Sequence, residues 1–166
     1  MQANFLKSFF TKLTSKSERK DTKKVFSPRS YSSFLRAAAL DIDWPLRGAI
    51  AYGECVMDRN TRTFIGQPII DAYELEESQK WIGTAFHESV VNHSSLKKGI
   101  LQLDEVIQYN IPVKAGIKST SYALNWYAYG SNSEAILNKH IGMAYSTKVT
   151  TYYKNTLKYV LSESGK

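Results

Sequence analysis

The stretch FIGQPIIDAYELEESQKWIG, residues 64–83, decides how the rest of the chain reads. A strand ends there, Gly66 turns the chain, and a helix opens at Pro68, where a missing N–H costs little. The helix is expected over 67–81, with Ile69, Ala72 and Tyr73 on one face and Gly83 as its stop. Strand, glycine and helix N-terminus are also the parts of a phosphate cradle. The local charges oppose that use. Asp71, Glu74, Glu76 and Glu77 follow the turn, and no Lys or Arg comes before Lys80. Carboxylates near a helix start suit the helix dipole but repel a phosphate. On its residues alone, this turn packs one element against the next.

Working outward, PLRGAIAYGECVM (45–57) reads as a strand, DRNT as a turn, and RTFIG as the returning strand of a hairpin. Gly48, Ala49, Ala51 and Gly53 keep the first strand thin, so another backbone or a ligand is expected close by. Upstream, SPRSYSSFLRAAALDIDW (27–44) reads as a helix from about Pro28, ended by Asp41, Asp43 and Pro45. Downstream, AFHESVV is a short strand or loop. SSLKKGILQLDEVIQYN (94–110) reads as a second helix with the stripe Leu96, Ile100, Leu103 and Ile107. IPVKAGI and SYALNWYAY read as two antiparallel strands, and residues 133–161 as helix broken near Gly142. This order predicts an α+β fold, an antiparallel or mixed sheet covered by helices.

The chain has 166 residues and one cysteine, Cys55, so no internal disulfide can form, which fits a reducing, cytoplasmic setting. No apolar run is long enough to suggest a membrane span. The net charge of +7 is unevenly spread: residues 1–36 hold nine Lys and Arg against two acids, and the remainder is balanced. Residues 1–28 therefore read as a basic leader and linker, and 29–166 as the domain. Within the leader, Phe5, Phe9 and Leu13 at fourfold spacing, with Leu6 and Phe10 beside them, predict a basic amphipathic helix. It would pack on the domain or a partner, or contact an anionic membrane through residues 1–25 as a peripheral anchor. No recognised nucleic-acid module accompanies it, so a nucleic-acid role is disfavoured.

Chemistry-bearing motifs are sparse. His87 and His93 stand six apart with Glu88 between them, which matches no metal-ligand spacing, and His140 stands alone. There is no nucleophile elbow, Walker lysine or Cys-x-x-Cys pair. Cys55 reads as a small buried hydrophobe. Tyr122, Trp126, Tyr127 and Tyr129 could stack a base, but cross-strand packing is favoured.

LRGAIAYGE, the hairpin and FIGQPIIDAYELEESQKWIG together resemble the class III nucleotide (adenylate/guanylate) cyclase homology domain. That family carries an R-x-G-I-x-x-G strand, then G-x-x-V-N-x-A-x-R-L-E on a helix. Arg47, Ile50 and Gly53 match the first pattern, with Ala49 in place of its first glycine; Gly66, Ile69, Ala72, Leu75 and Glu76 match the second. IPVKAGI…YALNWY and YYKNTLKYV are similar to the tail of a bacterial branch of cyclase-like proteins, so the likeness covers roughly residues 30–160.

The resemblance implies a ferredoxin-like cyclase-homology fold lacking its first half, where the family's two metal-binding aspartates lie. It also marks departures. Ile70 occupies the position of an Asn that places the ribose, and Glu74 that of an Arg that stabilises phosphate charge in the transition state. Asp41, Asp43 and Asp58 read as helix-end or turn residues rather than metal ligands. The implied catalytic set and metal set are therefore empty, and Mg or Mn is expected only of an active cyclase. Thr63, at the family's base-reading position, and Gly66 are the candidates for a residual nucleotide cleft. The family's active sites form between chains, which implies a homodimer or a heterodimer with a cyclase-like chain. Two functions follow as expectations. One is a catalytically incomplete interaction or regulatory module, or a truncated cyclase. The other is an active cyclase in bacterial signalling or phage defence whose metal site a partner chain supplies.

Overall fold

The computed structural model describes residues 9–10, 28–38, 46–58, 60–61, 63–100, 102–117, 120–126 and 132–164. The fold is α+β with a mixed sheet. In chain order the elements are β1 (Phe9–Phe10), α1 (Pro28–Arg36), β2 (Arg47–Ile50), β3 (Val56–Asp58), β4 (Thr63–Ile65), α2 (Gln67–Ser78) and β5 (Gly83–Phe86). Then come α3 (Glu88–Val91), α4 (Ser94–Ile100), β6 (Val106–Gln108), β7 (Tyr122–Leu124), α5 (Ser133–Met143) and α6 (Thr147–Ser164).

The main sheet has the order β1-β2-β5-β7-β6. β2 and β5 run parallel, with Arg47 opposite Gly83 and Ile50 opposite Phe86. Parallel neighbours need a crossover, and α2 supplies it. Every residue of β2 and β5 is buried, as expected for strands covered on both faces. β7 is antiparallel to β5 and to β6. β3 and β4 form a separate two-stranded hairpin with Val56 opposite Ile65.

An aromatic group anchors the core. Trp81, Tyr159 and Trp126 are almost wholly buried. Tyr159 meets Trp81 edge-on at 5.1 Å and Tyr109 at 5.0 Å, and its hydroxyl donates to Asn125 Oδ1 at 2.8 Å. Such edge contacts add to the area term. α6 is tied to the strand approach by polar bonds as well: Thr156 Oγ1 accepts from the Ile82 N–H, and Asn155 Nδ2 donates to the Lys80 carbonyl.

Several sequence expectations need correction. The predicted long strand 45–57 is two strands, β2 and β3, separated by residues 51–55. α2 ends at Ser78, and Gly83 begins β5 instead of stopping a helix. Its φ of 156° and the Trp81 ring, 2.7 Å from where a Cβ would stand, explain the glycine. The helix expected over 94–110 stops at Ile100, and Val106–Gln108 is sheet. IPVKAGI is not a strand; it contributes one bridge, Val113 to Gln79. The terminal break falls at residues 144–146, just after Gly142. Within the leader, the described pair Phe9–Phe10 is strand, parallel to Gly48–Ala49, where a helix was expected. Two adjacent aromatics suit a sheet edge, and β2 would otherwise expose its backbone. The rest of the leader helix, together with Asp41 and Asp43, lies outside the described residues.

Candidate functional site

The turn at Gly66 is built by backbone contact. A Cβ there would stand 2.5 Å from Cys55 Cβ, 2.6 Å from the Glu54 carbonyl oxygen and 2.7 Å from Cys55 Cα. Its φ of 164° is ordinary extended backbone, so proximity alone demands glycine. Pro68 lies against Gly53, whose own Cβ position is 3.2 Å from the proline ring. The small residues of the 48–53 stretch thus let the hairpin root and the start of α2 approach closely.

Arg47 and Glu76, two of the motif residues, form a buried ion pair at 2.9 Å. The guanidinium also donates to the Gln79 carbonyl at 2.7 Å and lies over the Tyr152 ring at 5.1 Å. Burial pushes the Glu76 carboxyl above its ordinary value, further than the Arg47 charge draws it back. Gln79, fully buried, continues this network: its amide donates to the Gly48 carbonyl and its oxygen accepts from Trp81 Nε1. Together these groups join β2, the end of α2 and the entry to β5. Their burial leaves them no access to a ligand, so their role is architectural.

A cleft of about 390 Å³ opens beside α2. Asp71 and Glu74 of α2, His87 and Glu88 at the start of α3, and Ser121 and Tyr122 ahead of and within β7 are among its walls. Among the described residues that line it, Asp71, Glu74 and Glu88 are acidic and none is Lys or Arg. His87 Nδ1 lies 3.0 Å from Ser89 Oγ, 3.3 Å from the Ser89 N–H and 3.7 Å from Asp71 Oδ2. Serine, histidine and aspartate meet here, but not as a nucleophilic triad. A triad places serine and carboxylate on opposite ring nitrogens, whereas both stand at Nδ1. Ser89 Oγ is also held by the Tyr52 N–H at 3.0 Å. The His87 ring is an N-cap for α3.

The sequence-derived candidates fall elsewhere. Thr63 is exposed on β4, its Oγ1 accepting from Thr61 Oγ1 at 2.9 Å. Neither Thr63 nor Gly66 lines the cleft. Glu74 does, and Ile70, one turn earlier, is half exposed on the same helix. Asp58 caps the hairpin turn: bonds from Thr61 and Asn60 hold its carboxyl below the ordinary value. That carboxylate is already committed, and among the described residues no group of three or more His, Cys, Asp or Glu converges as a metal set. The described residues therefore do not fit a two-metal site. His93 bonds Ser95 Oγ and meets the Tyr52 ring at a tilt of 60°, and His140 stacks on Tyr153. Trp126 is core, Tyr122 borders the cleft, and Tyr127 and Tyr129 lie outside the described residues. The meeting of Asp71 with His87 was invisible in sequence, since only the return of the chain from α2 into β5 brings them together.

Comparisons with protein-family models, with curated proteins and with solved structures returned no match.

Proposed function

We propose that this chain is a cyclase-like domain without a catalytic centre of its own, acting as an interaction or regulatory module. The supporting observation is the sign of the charge along α2. Among the described residues, the cleft beside this helix is lined by Asp71, Glu74 and Glu88 and by no Lys or Arg. A nucleoside triphosphate needs the reverse, donors and positive charge around developing phosphate charge. Glu74, at the position where the cyclase pattern has Arg, is exposed and anionic. The two motif residues that would advertise a cyclase, Arg47 and Glu76, neutralise each other in the interior. Gly66 serves a backbone contact. What the motif retains is therefore scaffold.

The test is incubation of the purified protein with each nucleoside triphosphate and Mn²⁺, alone and with a co-encoded cyclase. No cyclic product is expected from the chain alone. A cyclic product that disappears on Glu74→Ala would sink the proposal and favour an active enzyme.

A further inference from the structure

One ring nitrogen of His87 faces partners from two different helices. Nδ1 accepts from the Ser89 N–H at 3.3 Å and stands 3.0 Å from Ser89 Oγ. Ser89 Oγ accepts in turn from the Tyr52 N–H at 3.0 Å, which leaves the hydroxyl hydrogen to point at Nδ1. An accepting ring nitrogen carries no proton, so this arrangement requires the neutral ring with its proton on Nε2. The series Tyr52, Ser89, His87 ties the segment after β2 to the start of α3. The second partner is Asp71 of α2. Its Oδ2 lies 3.7 Å from the same Nδ1, beyond hydrogen-bond reach. Its Oδ1 accepts from Gln67 Nε2, one turn earlier on α2, at 2.8 Å. That bond steadies the carboxylate beside the ring.

We propose that His87 is a proton-operated latch that passes its hold from α3 to α2. In the neutral ring, Nδ1 caps α3. Protonation fills that lone pair. The Ser89 N–H then faces another donor and loses its acceptor, while the Asp71 carboxylate gains a cation. A small turn of the ring closes the 3.7 Å gap to a charge-assisted hydrogen bond. Asp71 and His87 both line the cleft, so the new bond draws two of its walls together as the start of α3 is released. Histidine ordinarily changes charge between about pH 5 and 8, which sets the range of the latch. The surroundings do not oppose the charge. Asp71 and Glu74 approach from α2, Glu88 from α3 and Tyr122 from β7, and none of the described lining residues is Lys or Arg. His93 lies just beyond α3 against the Tyr52 ring, with 4.5 Å between centroids, and its effect has to be separated from that of His87.

Nitrogen NMR of the histidine rings and amide hydrogen exchange, both on the full chain between about pH 8 and pH 5, test the latch. At the upper end the His87 ring is expected as the Nε2–H tautomer, with the Ser89–Asn92 amides protected. At the lower end both ring nitrogens carry protons, and the protection factors of Ser89–Asn92 fall about fivefold, the loss of one N-cap. His87→Asn keeps a capping side chain that does not titrate, so its protection factors should stay level across the range. Asp71→Asn should move the fall to lower pH, because a nearby carboxylate favours the charged ring. His93→Gln should leave the fall in place. The latch is overturned by an Nδ1–H tautomer at the upper end, or by protection of Ser89–Asn92 that does not change with pH. It is overturned equally by a fall that survives His87→Asn, one that disappears with His93→Gln, or an Asp71→Asn midpoint equal to that of wild type.

Discussion

Replacing Gly66 by alanine separates the two uses of the turn, packing and phosphate binding. The added methyl would start 2.5 Å from Cys55 Cβ, 2.6 Å from the Glu54 carbonyl oxygen and 2.7 Å from Cys55 Cα. Two of these three atoms are backbone, so no side-chain rotation relieves the clash. The hairpin root must move away from α2. Overpacking of this kind costs about 1–3 kcal/mol. Alanine returns about 0.4–1 kcal/mol through the unfolded chain, because the extended φ at this site suits it. A net loss of about 1–2 kcal/mol follows, or roughly 2–8 °C in melting temperature for a domain of this size. Thermal unfolding by circular dichroism and urea titration measure it. Cys55→Gly in the Gly66→Ala background removes only the 2.5 Å contact and leaves the two backbone contacts in place. Rescue should therefore be slight. An unchanged melting temperature for Gly66→Ala, or full rescue by Cys55→Gly, would refute the close-approach reasoning.

Three other outcomes are expected. Arg47→Met leaves the buried Glu76 carboxylate without its cation and should cost about 3–5 kcal/mol in urea unfolding, with Arg47→Met/Glu76→Leu recovering much of the loss. Because burial raises the folded-state pKa of Glu76, the folded chain keeps that proton to higher pH than the unfolded chain. This group's contribution to stability therefore falls as pH rises from its ordinary value of 4.5 through the folded value. Glu76→Gln should flatten that part of the pH–stability curve, and an identical slope in both proteins would contradict it. Gln79→Leu strips partners from the Gly48 carbonyl and Trp81 Nε1 and should cost about 2–6 kcal/mol, at roughly 1–3 kcal/mol for each of the two groups.

Local signals in the sequence were sufficient for the hairpin, for α2 and for the α5–α6 pair. A turn rich in Asp and Asn, a proline in the first helical turn and long runs of helix formers act within a few residues of themselves. The α+β class followed from their order. Glu74 and Ile70 were legible too, because a helix position and a charge sign need no tertiary knowledge. Packing decided the rest. Leu96, Ile100, Leu103 and Ile107 satisfy a helical stripe, yet Ile107 pairs with Ala123 in the sheet. An open edge of β7 offers ladder bonds that outweigh a modest local preference. Gly83 carries the same letter as a helix stop and is instead the first residue of a central strand. Likewise nothing in the sequence joins Arg47 to Glu76 until β2 and α2 are stacked, when they become one buried pair. Gly66 shows the division most directly. The charges that follow it, present in the sequence, already opposed a phosphate. That it must be glycine because Glu54 and Cys55 pass within 2.7 Å of its side-chain position is a distance between segments, and only the folded chain sets such a distance.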